Sequence, residues 1–368
     1  AFAGFASTEA FSAALLEQLG RVEDHYADLF EEAPSLSEAG SLVFTGGEDH
    51  PDTLITLTRL GYRDTASVAA VVRSWHAGRY RATRSARARE ILTELVPDLL
   101  RILGRTSEPD AAFKRFDAFL KALPAGVQLF ALIHANPDLL GLIAEVMGNA
   151  PRLADHLSAR PALLEGVLTQ DFFARLPDAS ALQAELDRQL AHARDLEDRL
   201  DFCRRWAKDR QFQAGVHILR NVADAHHMGG PLADIAETAI RALLPAVCDE
   251  FRKQHGVLPG RGLAVVALGK LGGRELNFGS DLDLVFIYDV PADAGDDWTT
   301  MQSDGKRPLA QMHYYARLAQ RMIAALDAPT AEGRLYEVDM RLRPSGNAGP
   351  IASGLEAFCR YQREEAWT

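Results

Sequence analysis

An α-helical bundle followed by a small α/β domain is the fold class that the sequence predicts, on three observations. From about Phe11 to Leu200 the apolar residues recur at three- and four-residue spacing, the period of an amphipathic helix. After "HHMGGP" (226–231) apolar runs begin to alternate with amphipathic stretches. With 368 residues, 47% of them hydrophobic, the chain can bury the cores of two or three domains.

In the first part, stretches such as "AALLEQLGRVEDHYADLF" and "ARAREILTELVPDLLRILG" read as helices. "TGGEDHPDT", "RTSEPDA", "LPAGV", "HANPD", "NAPR" and "SARPA" separate the helices, because Pro, Gly or an Asn/Asp cap ends one and starts the next. No fixed period recurs, which favours an irregular bundle over a solenoid. The basic run "GRYRATRSARARE" (78–90) reads as a solvated, ion-paired helix face. His226 and His227 have no His or Cys partner at ligand spacing and read as linker.

In the second part, a long helix "LADIAETAIRALLPAVCDEFRKQHG" leads to the strand "LAVVALG". A second strand, "SDLDLVFIYD", a helix, "LAQMHYYARLAQRMIAALD", and a third strand, "RLYEVDMRLRP", follow. The expected organisation is therefore an all-α linker or regulatory region, 1–225, and an α/β domain, 226–368. The chain starts at Ala1 without Met and stops at "EEAWT" inside what reads as a helix. A fragment is expected, with its second domain truncated at the C-terminus.

Composition narrows the function. The formal charge of −11 argues against a nucleic-acid partner. No stretch approaches the roughly 18 apolar residues of a membrane span, and no secretory leader is recognisable, so a cytoplasmic setting without a membrane partner is expected. Cys203, Cys248 and Cys359 lack any C-x-x-C spacing and read as free thiols.

Asp281 and Asp283 lie two apart in a strand pattern, so they project to one face while Leu282 and Leu284 enter the packing layer. At a separation of about 7 Å the two carboxylates repel unless a cation sits between them. Asp339, in the third strand, adds a third carboxylate. Three carboxylates on adjacent strands suit Mg²⁺, which takes a few carboxylates, waters and substrate phosphates. A bare D-x-D also fits a strand end facing solvent. Upstream, Gly269, Gly272 and Gly273 form a Gly-rich turn that lets backbone N–H groups approach phosphate oxygens.

A Gly turn, eleven intervening residues and then Asp-x-Asp resembles the signature of the DNA polymerase β-like nucleotidyltransferases. Lys270 departs from the Gly or Ser common after the first Gly; it could hold a triphosphate as a point charge. More narrowly, residues 260–368 resemble the bacterial bifunctional glutamine synthetase adenylyltransferase/adenylyl-removing enzymes. Upstream, "GYRD", "RSARARE", "RFDAFL", "LPAGVQLF" and "RRWAKDRQFQAGV" are similar to the helical segment that precedes the second catalytic domain of that family. "RPSGNAGP" (343–350) and "YQREEAWT" (361–368) resemble the adenylylating domain, whereas the removing domain carries R-P-F-G and G-R-D-W.

The resemblance implies a Mg²⁺-dependent transfer of AMP from ATP to a tyrosine of glutamine synthetase, with release of pyrophosphate, as a control of nitrogen assimilation. It implies that Asp281 and Asp283 coordinate Mg²⁺, and that Asp339 helps hold the metal or polarises the phenol. Gly269, Lys270, Gly272, Gly273, Gly279, Ser280, Arg341 and Arg343 become candidate nucleotide or phosphate contacts. Ser280 equally fits a turn, and Arg341 and Arg343 equally fit surface ion pairs. Glutamine synthetase and a PII signal protein are the partners implied. The phosphorolytic removing half and a binding-only fragment are the alternatives. The irregular segment 290–308 reads as a cover or docking loop, or as plain surface.

Overall fold

The computed structural model describes residues 11, 14, 18, 21, 42–44, 49–260, 262–289 and 301–366. It divides into two compact units, Ala1–Gly166 and Val167–Thr368. The helix read over "AALLEQLGRVEDHYADLF" lies almost wholly outside the described residues.

The first unit is helical throughout its described part, with helices at Pro51–Arg59, Thr65–His76, Ala86–Gly104, Pro109–Ala122, Val127–Ala135, Pro137–Asn149 and Pro151–Ala159. Four of these open on Pro, whose fixed φ suits a first helical residue and whose missing N–H costs nothing there. Ser85 caps another by accepting from the Ala88 amide at 3.1 Å. The segments that looked family-like in sequence do structural work. Asp117, from "RFDAFL", accepts from Trp75 Nε1 and the Tyr80 hydroxyl, both at 2.9 Å, amid buried Phe113, Phe116 and Phe119. Tyr62, from "GYRD", is buried and donates to Leu100 O at 2.9 Å. In the basic run, Arg87 pairs with Glu90 at 2.8 Å. No single helix among the described residues is long and apolar enough to cross a membrane; Val127–Ala135 and Pro137–Asn149 pass such a test only together, and they are bent by 109°.

The second unit opens with α1 (Ala179–Leu190), α2 (Leu196–Leu219) and α3 (Gly229–His255). Asp178 and Asp195 cap the first two, accepting from Ala181 N at 2.9 Å and Asp198 N at 2.8 Å. Then come β1 (Leu263–Ala267), the single turn α4 (Gly269–Gly272), β2 (Leu282–Tyr288), α5 (Gln311–Asp327), β3 (Val338–Asp339), β4 (Ala352–Gly354) and α6 (Leu355–Glu364). β1 runs antiparallel along one edge of β2. β3 and β4, both parallel to β2, follow one another along its other edge. β2 is the centre of the sheet, and Leu282, Leu284 and Phe286 are fully buried.

Three expectations need correction. The change of element type near 225 is not the packing boundary: Leu182, Leu186, Cys203, Trp206 and Ala214 share one core with Leu284, Phe286 and Leu318. The third strand, read over 334–344, shrinks to Val338–Asp339, because the chain turns at Met340, whose carbonyl accepts from Arg343 N at 3.3 Å. The segment read as an irregular loop over 290–308 is built in its second half, where Asp304 accepts from Val257 N at 2.6 Å and Arg307 N donates to Gln254 O at 3.0 Å. Residues 290–300 lie outside the described part. β4 was not expected at all.

Candidate active site

β1 and β2 form a hairpin-like pair whose connection, 268–281, carries the Gly-rich turn. Leu268 N donates to Asp283 O at 2.9 Å, which holds the start of the turn level with Asp283. Gly269 then takes φ +51°, a left-handed conformation that glycine adopts without steric cost. A Cβ at Gly269 would collide with Asp283 Oδ2, so the backbone lies directly against that carboxylate. At Gly272 a Cβ would come within 2.6 Å of Ala267 O. Gly273 is freer: it has ordinary φ, and its nearest such approach is 3.3 Å, to Gly269 O. Lys270 is exposed on this turn.

Gly279, at φ +74°, turns the chain into β2. The Ser280 hydroxyl accepts from Asn277 N at 3.2 Å and Ser280 N donates to Asn277 O at 3.1 Å, so this serine closes a turn. Asp283 and Asp339 are register partners in the parallel pair β2/β3, and their side chains therefore share a face with Cα atoms about 4.8 Å apart. Asp281 precedes Asp283 by two, just outside the strand, and is exposed.

The electrostatics separate the carboxylates. Burial pushes the Asp283 carboxyl up from its ordinary pKa, and the charges of Asp281 and Asp339 push the same way against the weaker pull of Arg341 and Lys270. Asp339 is held below the ordinary range by hydrogen bonds from Arg341. The Arg341 amide donates to Oδ1 at 2.8 Å, Nε to Oδ2 at 2.7 Å, and Nη2 also meets Oδ2. Arg341 is therefore in an ion pair at the site, while Arg343 is spent elsewhere. Its guanidinium donates to Met340 O at 2.7 Å and to Gly349 O and Asn347 O at 3.3 Å, tying down the 343–350 loop. Neither arginine lies on a strand, contrary to expectation, since β3 ends at Asp339.

Among the described residues no group of three His, Cys, Asp or Glu side chains stands ready to hold a metal. Arg341 takes both oxygens of Asp339, one with its amide and one with its guanidinium. The donor set still fits Mg²⁺. Carboxylate oxygens are its preferred protein ligands, and the charges of Asp281 and Asp339, which add to burial in raising the Asp283 carboxyl, are ones a cation would relieve.

A family model described as glutamate-ammonia ligase adenylyltransferase matches residues 140–368. The chain belongs to that family. The match takes in the whole second unit, from α1 to α6, together with the last helices of the first. Proteins called bifunctional glutamine synthetase adenylyltransferase/adenylyl-removing enzyme are similar over nearly the full chain. The one from Mesorhizobium japonicum is 49% identical over 366 residues, 99% of this chain and 36% of its own length. Those of Rhizobium meliloti and Brucella melitensis are each 48% identical over 366 residues, covering 99% of this chain and 36% and 37% of their own. The chain thus spans a little over a third of the length of these curated relatives.

Two sets of residues in this adenylyltransferase-family chain escaped the sequence reading. Arg274, at φ +57°, donates to Asp234 at 2.7 Å and so braces the Gly turn against the first turns of α3. There the backbone of Gly229 packs on Glu275, where a Cβ would come within 2.9 Å of the Glu275 Cα. The second set lies on α2, inside "RRWAKDRQFQAGV".

Proposed function

We propose that this chain carries the adenylylating half of a bifunctional enzyme, moving AMP from ATP to a tyrosine of glutamine synthetase. The α/β part would be a DNA polymerase β-like nucleotidyltransferase core working in the cytoplasm, and the helical first unit a regulatory region that a PII signal protein engages. One observation carries the reading: a glycine turn whose backbone abuts Asp283, with Asp339 facing Asp283 across β2 and β3.

Asp281 and Asp283, with Asp339, are the residues that would hold Mg²⁺. Bound there, the ion would neutralise charge on the triphosphate and on the pentavalent phosphorus. The remaining work falls to the protein's own groups. The turn at Gly269–Gly273 brings backbone close to the phosphates, and Lys270 offers a mobile positive charge beside it. Arg341, exposed and joined to Asp339 by an ion pair, can exchange that partner for a phosphate oxygen. The phenol oxygen attacks the α-phosphorus in line, a P–O bond forms to the tyrosine, and the bond to the bridging oxygen breaks to release pyrophosphate. The phenolic proton passes to Asp339 or to solvent. Most of the acceleration comes from positioning and charge neutralisation.

The test is transfer of labelled AMP from ATP to unmodified glutamine synthetase in the presence of Mg²⁺. Label on a glutamine synthetase tyrosine is the expected result. Phosphate-dependent removal of the adenylyl group from modified glutamine synthetase, appearing as ADP, without attachment, would assign the chain to the removing half instead.

A further inference from the structure

Helix α2 touches no part of the proposed reaction, yet one of its faces grips the segment that delivers Asp339. Arg204 is fully buried. Its guanidinium meets four carbonyl oxygens: Leu200 at 3.1 Å on its own helix, Ala325 at 2.9 Å, Ala328 at 2.8 Å and Gly333 at 2.8 Å. Ala325 lies in the last turn of α5, where carbonyls have no partner within the helix and a cation opposes the negative end of the dipole. Around it, Asp201 accepts from the Thr330 hydroxyl at 2.6 Å, Lys208 donates to Glu332 O, and Arg205 pairs with Glu332 at 3.2 Å. One turn further on, Gln211 donates to the Tyr336 hydroxyl at 3.0 Å. Residues 201, 204, 205, 208 and 211 form one helical stripe.

The gripped segment is short: its far end is held by Leu335 N and Tyr336 N donating to Leu326 O, at 3.2 and 3.1 Å, and by the buried Leu335 and Tyr336 side chains, while its start, 328–333, meets α2. It turns through the Thr330–Gly333 bridge, with Gly333 at φ +77°, and enters β3, which has only two residues. Two residues of ladder cannot by themselves fix a strand end, because isolated pairings of that length are marginal in water. An arginine that satisfies four carbonyls from three separate pieces of chain can do so, since its planar fork fixes all of them at once. A buried guanidinium whose hydrogen bonds all go to carbonyls is also costly to leave unsatisfied, which makes the arrangement all-or-none.

We propose that Arg204 is a positioning residue for transfer: through the 328–336 segment it sets the register of Asp339 opposite Asp283. This rests on the reading of Asp339 as part of the transfer site. The Gly269 turn is held from β1, from Asp283 O and from α3, none of them through 328–336, so loss of Arg204 falls on kcat more than on nucleotide binding.

The experiment compares Arg204→Met, Arg204→Lys, Thr330→Val and Asp339→Asn in the full-length enzyme. For Arg204→Met, amide exchange across 328–339 should rise at least tenfold while that of 263–267 is unchanged. Its kcat for AMP transfer should fall at least tenfold with KM for ATP within twofold, and Arg204→Lys should recover part of that loss. Exchange that rises equally in β1, or a melting temperature that drops with kcat intact, would reduce Arg204 to a fold-stabilising residue and overturn the proposal. If Arg204→Met does not fold, Thr330→Val decides: at least threefold faster exchange in 328–339 with lowered kcat supports the proposal, and no change overturns it. Full transfer by Asp339→Asn would overturn the site reading itself, whereas loss there with Arg204 variants unaffected would remove only the positioning role.

Discussion

Gly269 and Asp283 are in direct contact, backbone against carboxylate, and no side chain can be added between them. At φ +51° the position also disfavours any residue with a Cβ. Gly269→Ala should therefore lower AMP transfer at least a hundredfold by displacing Asp283, at a stability cost of about 1–3 kcal/mol. Gly273→Ala, with ordinary φ and a nearest approach of 3.3 Å that asks Gly269 O to give by only a few tenths of an ångström, should cost less than about 1 kcal/mol and retain most activity. Steady-state transfer assays and urea unfolding of the two variants check the contrast; equal effects would show that the turn is not read through its contact with Asp283.

Asp283→Asn keeps shape and removes charge. In the full-length protein it should abolish attachment of AMP to glutamine synthetase and spare phosphate-dependent removal, since several kcal/mol of charge stabilisation depend on a carboxylate at such a site. Both half-reactions are measured on one preparation, and loss of removal with attachment preserved would exchange the halves.

The same variant should melt a few degrees higher than the parent in metal-free buffer at neutral pH. The folded-state pKa of Asp283 is raised, so its ionised form opposes folding: the favourable balance exists below the unfolded carboxyl pKa and is lost as pH rises through the folded one. Asn removes that opposition at neutral pH. The gain should vanish below about pH 3, where the aspartate is protonated in both states. Calorimetry at the two pH values reads it directly.

Arg341 is mostly exposed, at 74%, over a nearly covered Asp339 side chain, at 11%. Arg341→Met should raise KM for ATP about tenfold, since a charge-assisted phosphate contact is lost, with almost no change in melting temperature. An unchanged KM with lowered kcat would instead tie Arg341 to Asp339 alone.

In the first unit, Asp117→Ala strands the Trp75 indole N–H and the Tyr80 hydroxyl without their acceptor. A loss of about 2–4 kcal/mol in unfolding free energy is expected. Asp117→Asn, which keeps one acceptor, should lose less. Chemical denaturation followed by tryptophan fluorescence distinguishes them.

Much of the architecture could be read in the residues because the relevant forces are local. Helices over 51–159 announce themselves by apolar period and Pro starts, and β2 by a run of β-branched and aromatic residues around Asp283. Asp283 and Asp339 were paired correctly as neighbours because both sit in strand patterns. What escaped depends on partners far along the chain. Arg204 is 121 to 129 residues from the carbonyls it meets across the fold, and nothing in "RRWAKDR" specifies them. The sequence pattern overruns β3 because alternation continues through 340–343, while the chain turns at Met340, whose carbonyl accepts from both the amide and the guanidinium of Arg343. β4 is three residues ending in Gly, too short to carry a period. The boundary near 225 followed a change of pattern, whereas cores follow contact.

The core that α1 and α2 share with β2 has a consequence for how such a module can be inherited or borrowed. A gene segment cut at the helix-to-strand transition would carry the aspartates but leave Leu182, Cys203, Trp206 and Ala214 behind, exposing the apolar back of the sheet. A graft into another protein has to bring the two helices from about residue 179 onward. The smallest portable version of this unit therefore begins near Ala179 and not at the change of element type near 225, and duplication events that produce folded copies should carry both helices along.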